Sequence, residues 1–312
     1  MTKTIEELSL AERLQPRVKV EEWMAQTGRR LREKSILFRQ ERHTIRPMLK
    51  LFLEVTGLYD KGVRNALSPV VRKITFGFPN LPAEFDGFEV LHLSDLHIDG
   101  VDGLAERLSP LLRELNPDVC LMTGDYRFED YGSCERVYPR MRRVVESISA
   151  RHGIFGILGN HDVSEIAHEL TDMGVKMLVN EGVAIKQGRE AIWVAGLDDD
   201  FSYQTDDLPG AMSFVPANAF KILMAHSPEL YGEAAAHGVD LYLSGHTHAG
   251  QIRFPRLGSV RNNAKCPPEY TYGHWNHEGM QGYTSAGIGC SSLPVRFNCP
   301  PEIVLIELRR EA

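Results

Sequence analysis

Two imidazoles one residue apart stand in Gly245-His246-Thr247-His248-Ala249-Gly250, directly after the apolar run 239–243. In an extended segment side chains alternate faces, so His246 and His248 can project the same way. Neutral imidazole is the commonest protein metal ligand. An isolated His-x-His is more often a decorated turn, but here four earlier apolar runs end in similar chemistry. Ser94-Asp95-Leu96-His97 follows 88–93, and Thr123-Gly124-Asp125 follows 118–122. Gly159-Asn160-His161-Asp162 follows 153–158, and Ala225-His226-Ser227 follows 221–224. The carboxyl ends of strands line the ligand crevice of open α/β sheets, so groups far apart in sequence should converge there. Burying that many ionisable groups together costs on the order of several kcal/mol per uncompensated charge, which divalent cations would neutralise.

The ligand types divide into two sets. Asp95, His97 and His248 suit one ion, and Asn160, His226 and His246 suit a second, with the Asp125 carboxylate bridging them. Mixed imidazole and carboxylate donors favour Mn, Fe, Zn or Co over Ca or Mg. A bridged pair about 3.5–4 Å apart activates water and clamps the attacking and leaving oxygens of an in-line displacement at phosphorus. His161 is then available to donate a proton or hydrogen bond to a phosphoryl oxygen or leaving group, with Asp162 orienting its imidazole.

The surrounding pattern supplies strands to carry these groups. From residue 88, apolar runs alternate with helical stretches at about 102–115, 137–148 and 164–173, which predicts parallel strands joined by right-handed crossovers. From residue 175 consecutive strands are expected over 177–185 and 191–196, then 221–224, a helix over 228–236, and strands at 239–243, 283–288 and 303–308. Two packed sheets with helices outside would bury them. Residues 4–71 carry a helical pattern with little glycine, and Gly77 to Gly87, with Pro79, Asn80 and Pro82, reads as a linker. The expected organisation is a helical extension over 1–76, a linker over 77–87 and one α/β domain over 88–312.

A chain of 312 residues with 43% hydrophobic and 25% charged residues can bury a sizeable core. Its five cysteines are scattered without a Cys-x-x-Cys pair, which argues against a disulfide framework or zinc ribbon. A polar N-terminus and the lack of a long apolar run predict a cytoplasmic protein without a membrane span. The net charge of −7 is unevenly shared. Through Lys73 there are 16 Lys and Arg against 9 Asp and Glu, leaving 19 against 33 beyond it. Residues 20–56 interleave Arg and Lys with Trp23, Leu31, Phe38, Leu51 and Phe52, as in a basic amphipathic segment on an anionic membrane surface. A helical hairpin packed on the body is the competing expectation. No nucleic acid partner is expected, because the acidic body would repel a phosphate backbone.

The ordered set Asp95-x-His97, Gly124-Asp125, Gly159-Asn160-His161-Asp162, His226 and Gly245-His246-Thr247-His248 resembles the calcineurin-like metallophosphoesterase family over about residues 85–308. The resemblance implies a four-layer α/β/β/α sandwich with a dinuclear metal centre at the sheet ends. The implied enzyme is a metal-dependent phosphodiesterase or pyrophosphatase using a metal-activated water, with Mn the expected ion in vitro. Gly250-Gln251 and the closing Leu293-Pro294-Val295-Arg296 resemble the bacterial membrane-associated phosphohydrolases, some of which cleave UDP-2,3-diacylglucosamine. A phosphoester small molecule or a lipid-linked substrate at the inner membrane face is therefore expected. A soluble cyclic-nucleotide or phosphoprotein hydrolase is the alternative, and a non-catalytic scaffold the third. Many members carry a second Asp three positions after the Gly-Asp carboxylate, where this chain has Phe128 in Asp125-Tyr126-Arg127-Phe128. Tyr126, Arg127 and the loop 261–280, with Asn262, Asn263, Tyr270, His274, Trp275 and His277, are the candidate substrate contacts.

Overall fold

Strand β3 (Val119–Met122) is buried along its whole length, as a run of Val, Cys, Leu and Met must be when both faces of a sheet are covered. In this computed structural model, which describes residues 8–28, 45–213, 215–259 and 262–311, β3 lies in the first of two six-stranded sheets. Its neighbours are β2 (Phe88–Leu93) and β4 (Ile154–Gly156), both parallel to it. β5 (Val175–Met177) follows β4, while β14 (Glu302–Arg310) and β1 (Val70–Phe78) extend the sheet beyond β2. The second sheet runs β12 (Gly273–His277), β13 (Met280–Thr284), β9 (Leu241–Ser244), β8 (Phe220–Met224), β7 (Glu190–Gly196) and β6 (Glu181–Gln187). Its central strands β7, β8 and β9 are parallel. A short hairpin, β10 (Arg253–Phe254) with β11 (Gly258–Ser259), stands apart from both sheets.

Alternation along the strands builds the layers. Val90, Val119, Leu121 and Ile306 face Val194, Ile222, Leu241 and Leu243 between the sheets. Leu91, Leu93, Cys120 and Met122 face outward onto three helices, α5 (Leu104–Arg113), α6 (Val137–Val145) and α7 (Ser164–Asp172). Each helix presents a stripe of helical period: Leu104, Leu108 and Leu112 on α5, Val137, Met141 and Val144 on α6, Ile166 and Leu170 on α7. Each fully buried Leu of such a stripe stabilises the fold by about 2 kcal/mol. On the far side of the second sheet, Leu223, Ala225 and Tyr242 pack against α8 (Leu208–Met212) and α9 (Tyr231–Ala236). The result is the expected α/β/β/α sandwich.

The N-terminal reading needs correction. Four helices stand among its described residues: α1 (Leu10–Arg13), α2 (Gln15–Thr27), α3 (Arg46–Val55) and α4 (Leu58–Ala66). Residues 4–7 and 29–44 of the expected helical stretch lie outside the described residues. From Val70 the chain is strand, paired in parallel with β14 from Val70↔Glu302 to Phe78↔Arg310. Val70, Val71, Ile74, Thr75 and Phe76 are β-branched or aromatic, and Phe76 and Phe78 enter the core between the sheets. The expected linker 77–87 likewise contributes Leu81 and Phe85 to that core. Residues 177–185 are not one strand: the chain leaves the first sheet after Met177 and enters the second at Glu181. Asn180 makes that crossing with φ 54°, its Oδ1 accepting the Asp198 and Asp207 N–H groups at 2.9 and 3.0 Å. No helix among the described residues is long and apolar enough to cross a membrane.

Candidate metal centre

β2, β3 and β4 of one sheet and β8 and β9 of the other deliver the ligand-type residues to a common end. The turns are strained there: Asp95, His97, Asp125, His246 and His248 all have left-handed backbones, with φ between 37° and 68°. Such conformations cost non-glycine residues on the order of 1–3 kcal/mol each, and they cluster where function over-determines geometry. Gly159 has no side chain because none fits: a Cβ there would collide with Asp125 and His226.

Asp125 Oδ2 is the centre of the cluster. His226 Nε2 lies 3.4 Å from it, His97 Nε2 3.5 Å and His161 Nε2 3.9 Å. Asp125 Oδ1 accepts the His161 backbone N–H at 2.8 Å, which fixes the carboxylate plane. On one side His248 Nε2 stands 3.3 Å from Asp95 Oδ1 and 3.2 Å from His97 Nε2. On the other, His246 Nδ1 stands 3.3 Å from His226 Nε2. Ligand atoms of Asp95, His97 and His248 lie within 4.8 Å of one another, as do those of Asp95, Asp125 and His226.

The outer nitrogens set the tautomers. His97 Nδ1 lies 2.6 Å from the Arg127 carbonyl and His226 Nδ1 2.8 Å from the Thr123 carbonyl. A carbonyl only accepts, so both Nδ1 atoms carry protons and both Nε2 lone pairs are directed inward. His246 is reversed, with Nε2 3.3 Å from the Asn263 carbonyl and Nδ1 inward. At 3.2–3.3 Å the inward nitrogens of each pair are close enough to share one proton or to meet one cation.

The electrostatics couple these groups to one another. Burial alone would push the Asp125 carboxyl up, but the His226 and His161 imidazoles outweigh it and hold it well below the carboxylate range. Burial would lower His226, yet Asp125 raises it to about 10. Burial, then His97 and Arg296, hold His248 well below the usual imidazole value. Burial and Asp125 push Asp95 up, against the pull of His226. Asn160 gives the clearest test of fit. Both its Oδ1 and Nδ2 are buried without a hydrogen-bond partner among the described residues. Leaving such an amide unpaired costs about 1–3 kcal/mol, and an Oδ1 donated to a cation offsets that cost. The donor set therefore fits divalent metal ions.

All nine sequence-predicted positions reach this end of the sheets, but Asp162 does not do what was expected. Its carboxylate accepts backbone N–H groups, with Oδ2 taking Asp125 and Gly159 at 2.8 Å each and Oδ1 taking Tyr126 at 2.9 Å. It fixes the Asp125 and Gly159 turns rather than the His161 ring. The expected substrate contacts also need correction. Tyr126 is fully buried and donates to the Ile157 carbonyl, while Arg127 Nε donates to the His161 carbonyl at 2.5 Å. Tyr270 and Trp275 belong to the core of the second sheet, with Trp275 Nε1 donating to Thr284 Oγ1. Asn262 Nδ2 donates to Thr271 Oγ1, and His277 Nδ1 lies 3.0 Å from the Tyr270 hydroxyl. His274 packs edge-on to Phe76. From this loop the Asn263 carbonyl reaches a ligand-type side chain, 3.3 Å from His246 Nε2. Arg261 lies outside the described residues.

Three contributors escaped the sequence reading. Arg296, fully buried, donates to the Gly287 and Gly289 carbonyls and places Nη2 3.4 Å from His248 Nδ1. Phe201 packs against His246 with ring centroids 4.1 Å apart. Arg17, from the N-terminal helix α2, reaches the Gly159 and Asp162 carbonyls. Arg296 sits in the quoted Leu293-Pro294-Val295-Arg296 stretch, which was a signal; Phe201 and Arg17 had none.

Residues 88–250 match the family described as calcineurin-like phosphoesterase. The metallophosphoesterase YkuE of Bacillus subtilis is 30% identical over 243 residues, covering 73% of this chain and 82% of YkuE. A second metallophosphoesterase of that organism, YkoQ, is 25% identical over 277 residues, covering 85% of this chain and 99% of its own length. The phosphodiesterase YaeI of Escherichia coli is 27% identical over 230 residues, 71% of this chain and 82% of YaeI. With a dinuclear-metal family on one hand and clustered histidines and aspartates on the other, the chain belongs to the calcineurin-like phosphoesterases and is a metal-dependent hydrolase of phosphoesters.

Proposed function

We propose that this chain cleaves phosphodiester or pyrophosphate bonds, with Asp95, His97 and His248 holding one divalent ion and Asn160, His226 and His246 the other. The observation that carries this reading is Asp125 Oδ2, flanked at 3.5 and 3.4 Å by the Nε2 atoms of His97 and His226, one from each set. When bound, two such ions supply an activated water and neutralise charge on the phosphoryl group. Mn is the ion of choice in vitro.

The protein's own groups have separate tasks. Asp125 holds the two ligand sets in register, and Asp162 holds Asp125. His161, whose ring reaches the same carboxylate from the strand-end turn, donates a proton to the leaving oxygen, a role worth about 10²–10⁴-fold in rate. Arg127, bonded to the His161 carbonyl, keeps that residue in place.

The substrate reading is a lipid-linked or nucleotide-diphosphate compound, such as UDP-2,3-diacylglucosamine, met at an anionic membrane face. Its support is the outward side of α3, where Met48, Leu51, Phe52 and Val55 are exposed while Leu53 is buried against Leu293 and Val295. The start of α3 adjoins the centre: the Arg46 guanidinium lies over the Phe128 ring at 5.4 Å, and Phe128 packs edge-on to His97. The test is turnover of bis-p-nitrophenyl phosphate and UDP-2,3-diacylglucosamine by the Mn-loaded full chain, beside His161→Ala. We expect cleavage by wild type and a loss of about 10²-fold or more in the variant, with both ions retained. No phosphoester cleavage by the metal-loaded wild type would overturn the reading.

A further inference from the structure

We propose that Arg17, on the N-terminal helix α2, is a positioning residue of the metal centre, and that α2 is a working part of the site rather than an appendage. Arg17 is fully buried, unusual for a residue with five donors and a fixed charge. Its Nε and Nη2 reach Asp198 Oδ1 at 2.8 and 2.6 Å, in the turn that follows β7 of the second sheet. Its Nη1 donates to the Asp162 carbonyl at 2.8 Å and the Gly159 carbonyl at 3.3 Å, in the turn that follows β4 of the first sheet. Tyr203 closes the far face, its ring centroid 3.9 Å from Cζ. One guanidinium thus ties together the carboxyl-end turns of both sheets. The two carbonyls it holds bracket Asn160 and His161.

One helical turn further along α2, Glu21 accepts from the Ser164 N–H at 2.7 Å and its hydroxyl at 2.6 Å, at the first turn of α7. Arg13, at the end of the preceding helix α1, pairs with Glu181 on β6. The i, i+4 spacing of Arg17 and Glu21 lays one face of α2 across residues 159–164. Asn160 has no hydrogen-bonding partner of its own among the described residues, so its position is set by the backbone on either side of it. A planar fork that meets a carboxylate and two carbonyls at once cannot be replaced by the point charge of lysine.

This assignment rests on the reading of Asn160 as a metal ligand and His161 as a proton donor. The test compares the full-length wild type with Arg17→Ala and Arg17→Lys. Three measurements are made: Mn affinity and stoichiometry by calorimetric titration, kcat and KM on bis-p-nitrophenyl phosphate, and hydrogen exchange of the 157–163 peptide. In both variants we expect one of the two ions to bind about 10–100-fold more weakly. We expect kcat at saturating Mn to fall at least tenfold with KM within about twofold, the direction expected when groups used in the transition state are misplaced. Exchange of 157–163 should rise while that of the β8 and β9 peptides does not. Folded variants with wild-type Mn affinity, kcat and exchange would overturn the proposal, as would failure of both to fold, since Arg17 would then serve the fold at large. A wild type that binds Mn and hydrolyses the diester while Arg17→Ala matches it removes only this inference. A wild type that binds no Mn removes the underlying reading instead.

Discussion

The Asp162 carboxylate accepts the backbone N–H of Asp125 at 2.8 Å, so the residue after His161 fixes the turn that carries the central carboxylate. Gly159 and Tyr126 donate to the same carboxylate, which is fully buried. A neutral amide has one acceptor oxygen and would present two N–H groups where only donors converge. Asp162→Asn should therefore lower kcat on a diester substrate by about 10–100-fold and weaken metal binding by a similar factor. Charge-assisted hydrogen bonds are worth about 1.5–3 kcal/mol each, so urea unfolding should show a loss of at least that amount. A variant with wild-type metal content and rate would show that Asp162 is dispensable to the Asp125 turn.

Asn160 offers the opposite signature. Its buried amide makes no hydrogen bond among the described residues, so in the metal-free protein it is a cost. Asn160→Ala should leave the Tm of the chelator-treated protein unchanged or higher, whereas the rise in Tm on adding Mn should shrink. Ligand linkage sets the size: a tenfold loss of affinity removes about 1.4 kcal/mol of metal-dependent stabilisation. Equal Tm shifts in both proteins would exclude Asn160 from the donor set.

The parts of the site that sequence makes legible are those with a local cause. Asp95, Asp125, Asn160, His226 and His246 each stand one to four residues beyond an apolar run, and a strand end is enough to predict where they go. Bonds made by backbone have no such cause. Asp162 is chemically suited to orient a histidine, and only the approach of the Asp125 turn, 37 positions away in the chain, shows that its oxygens are occupied by N–H groups. Arg17 lies in an ordinary basic helix, and its partner Asp198 is 181 positions off. The expected organisation divides β1 between the helical extension and the linker, and Arg72 and Lys73 interrupt its alternation. They sit where one face of the strand is open to solvent, so the two-residue period weakens just where the sheet ends.

His92 is a buried group that the reaction does not use. Its Nε2 lies 2.9 Å from Thr123 Oγ1, and burial lowers its pKa from the ordinary 6.5 to about 3. The folded protein therefore favours the neutral ring, so its contribution is fully present above about pH 6.5 and is lost as pH falls from there toward 3. At one proton and about 1.4 kcal/mol per pH unit, about 2 kcal/mol should be gone by pH 5. His92→Gln keeps a polar partner for Thr123 but does not titrate. The gap in unfolding free energy between wild type and variant, followed by urea titration, should change by that amount between pH 7 and 5. Parallel curves would mean that His92 does not control acid stability.

The outward side of α3 should decide whether the chain meets its substrate on a surface. Met48 and Phe52 lie one turn apart, 65% and 57% exposed, beside Leu51 and Val55, while Leu53 anchors the helix to the body. Inserting such a face into lipid headgroups removes about 25 cal/mol of unfavourable hydration per Å² of apolar surface, and Lys50 on the same helix can approach anionic lipid. Met48→Asp combined with Phe52→Asp replaces that gain with two charges while leaving the buried side of α3 intact. The double variant should lose sedimentation with vesicles containing phosphatidylglycerol yet hydrolyse soluble bis-p-nitrophenyl phosphate at the wild-type rate, because no side chain of the metal centre has been altered. Equal sedimentation of the two proteins, or none by either, would remove the membrane face from the proposal and leave a soluble diester or pyrophosphate as the substrate class to pursue.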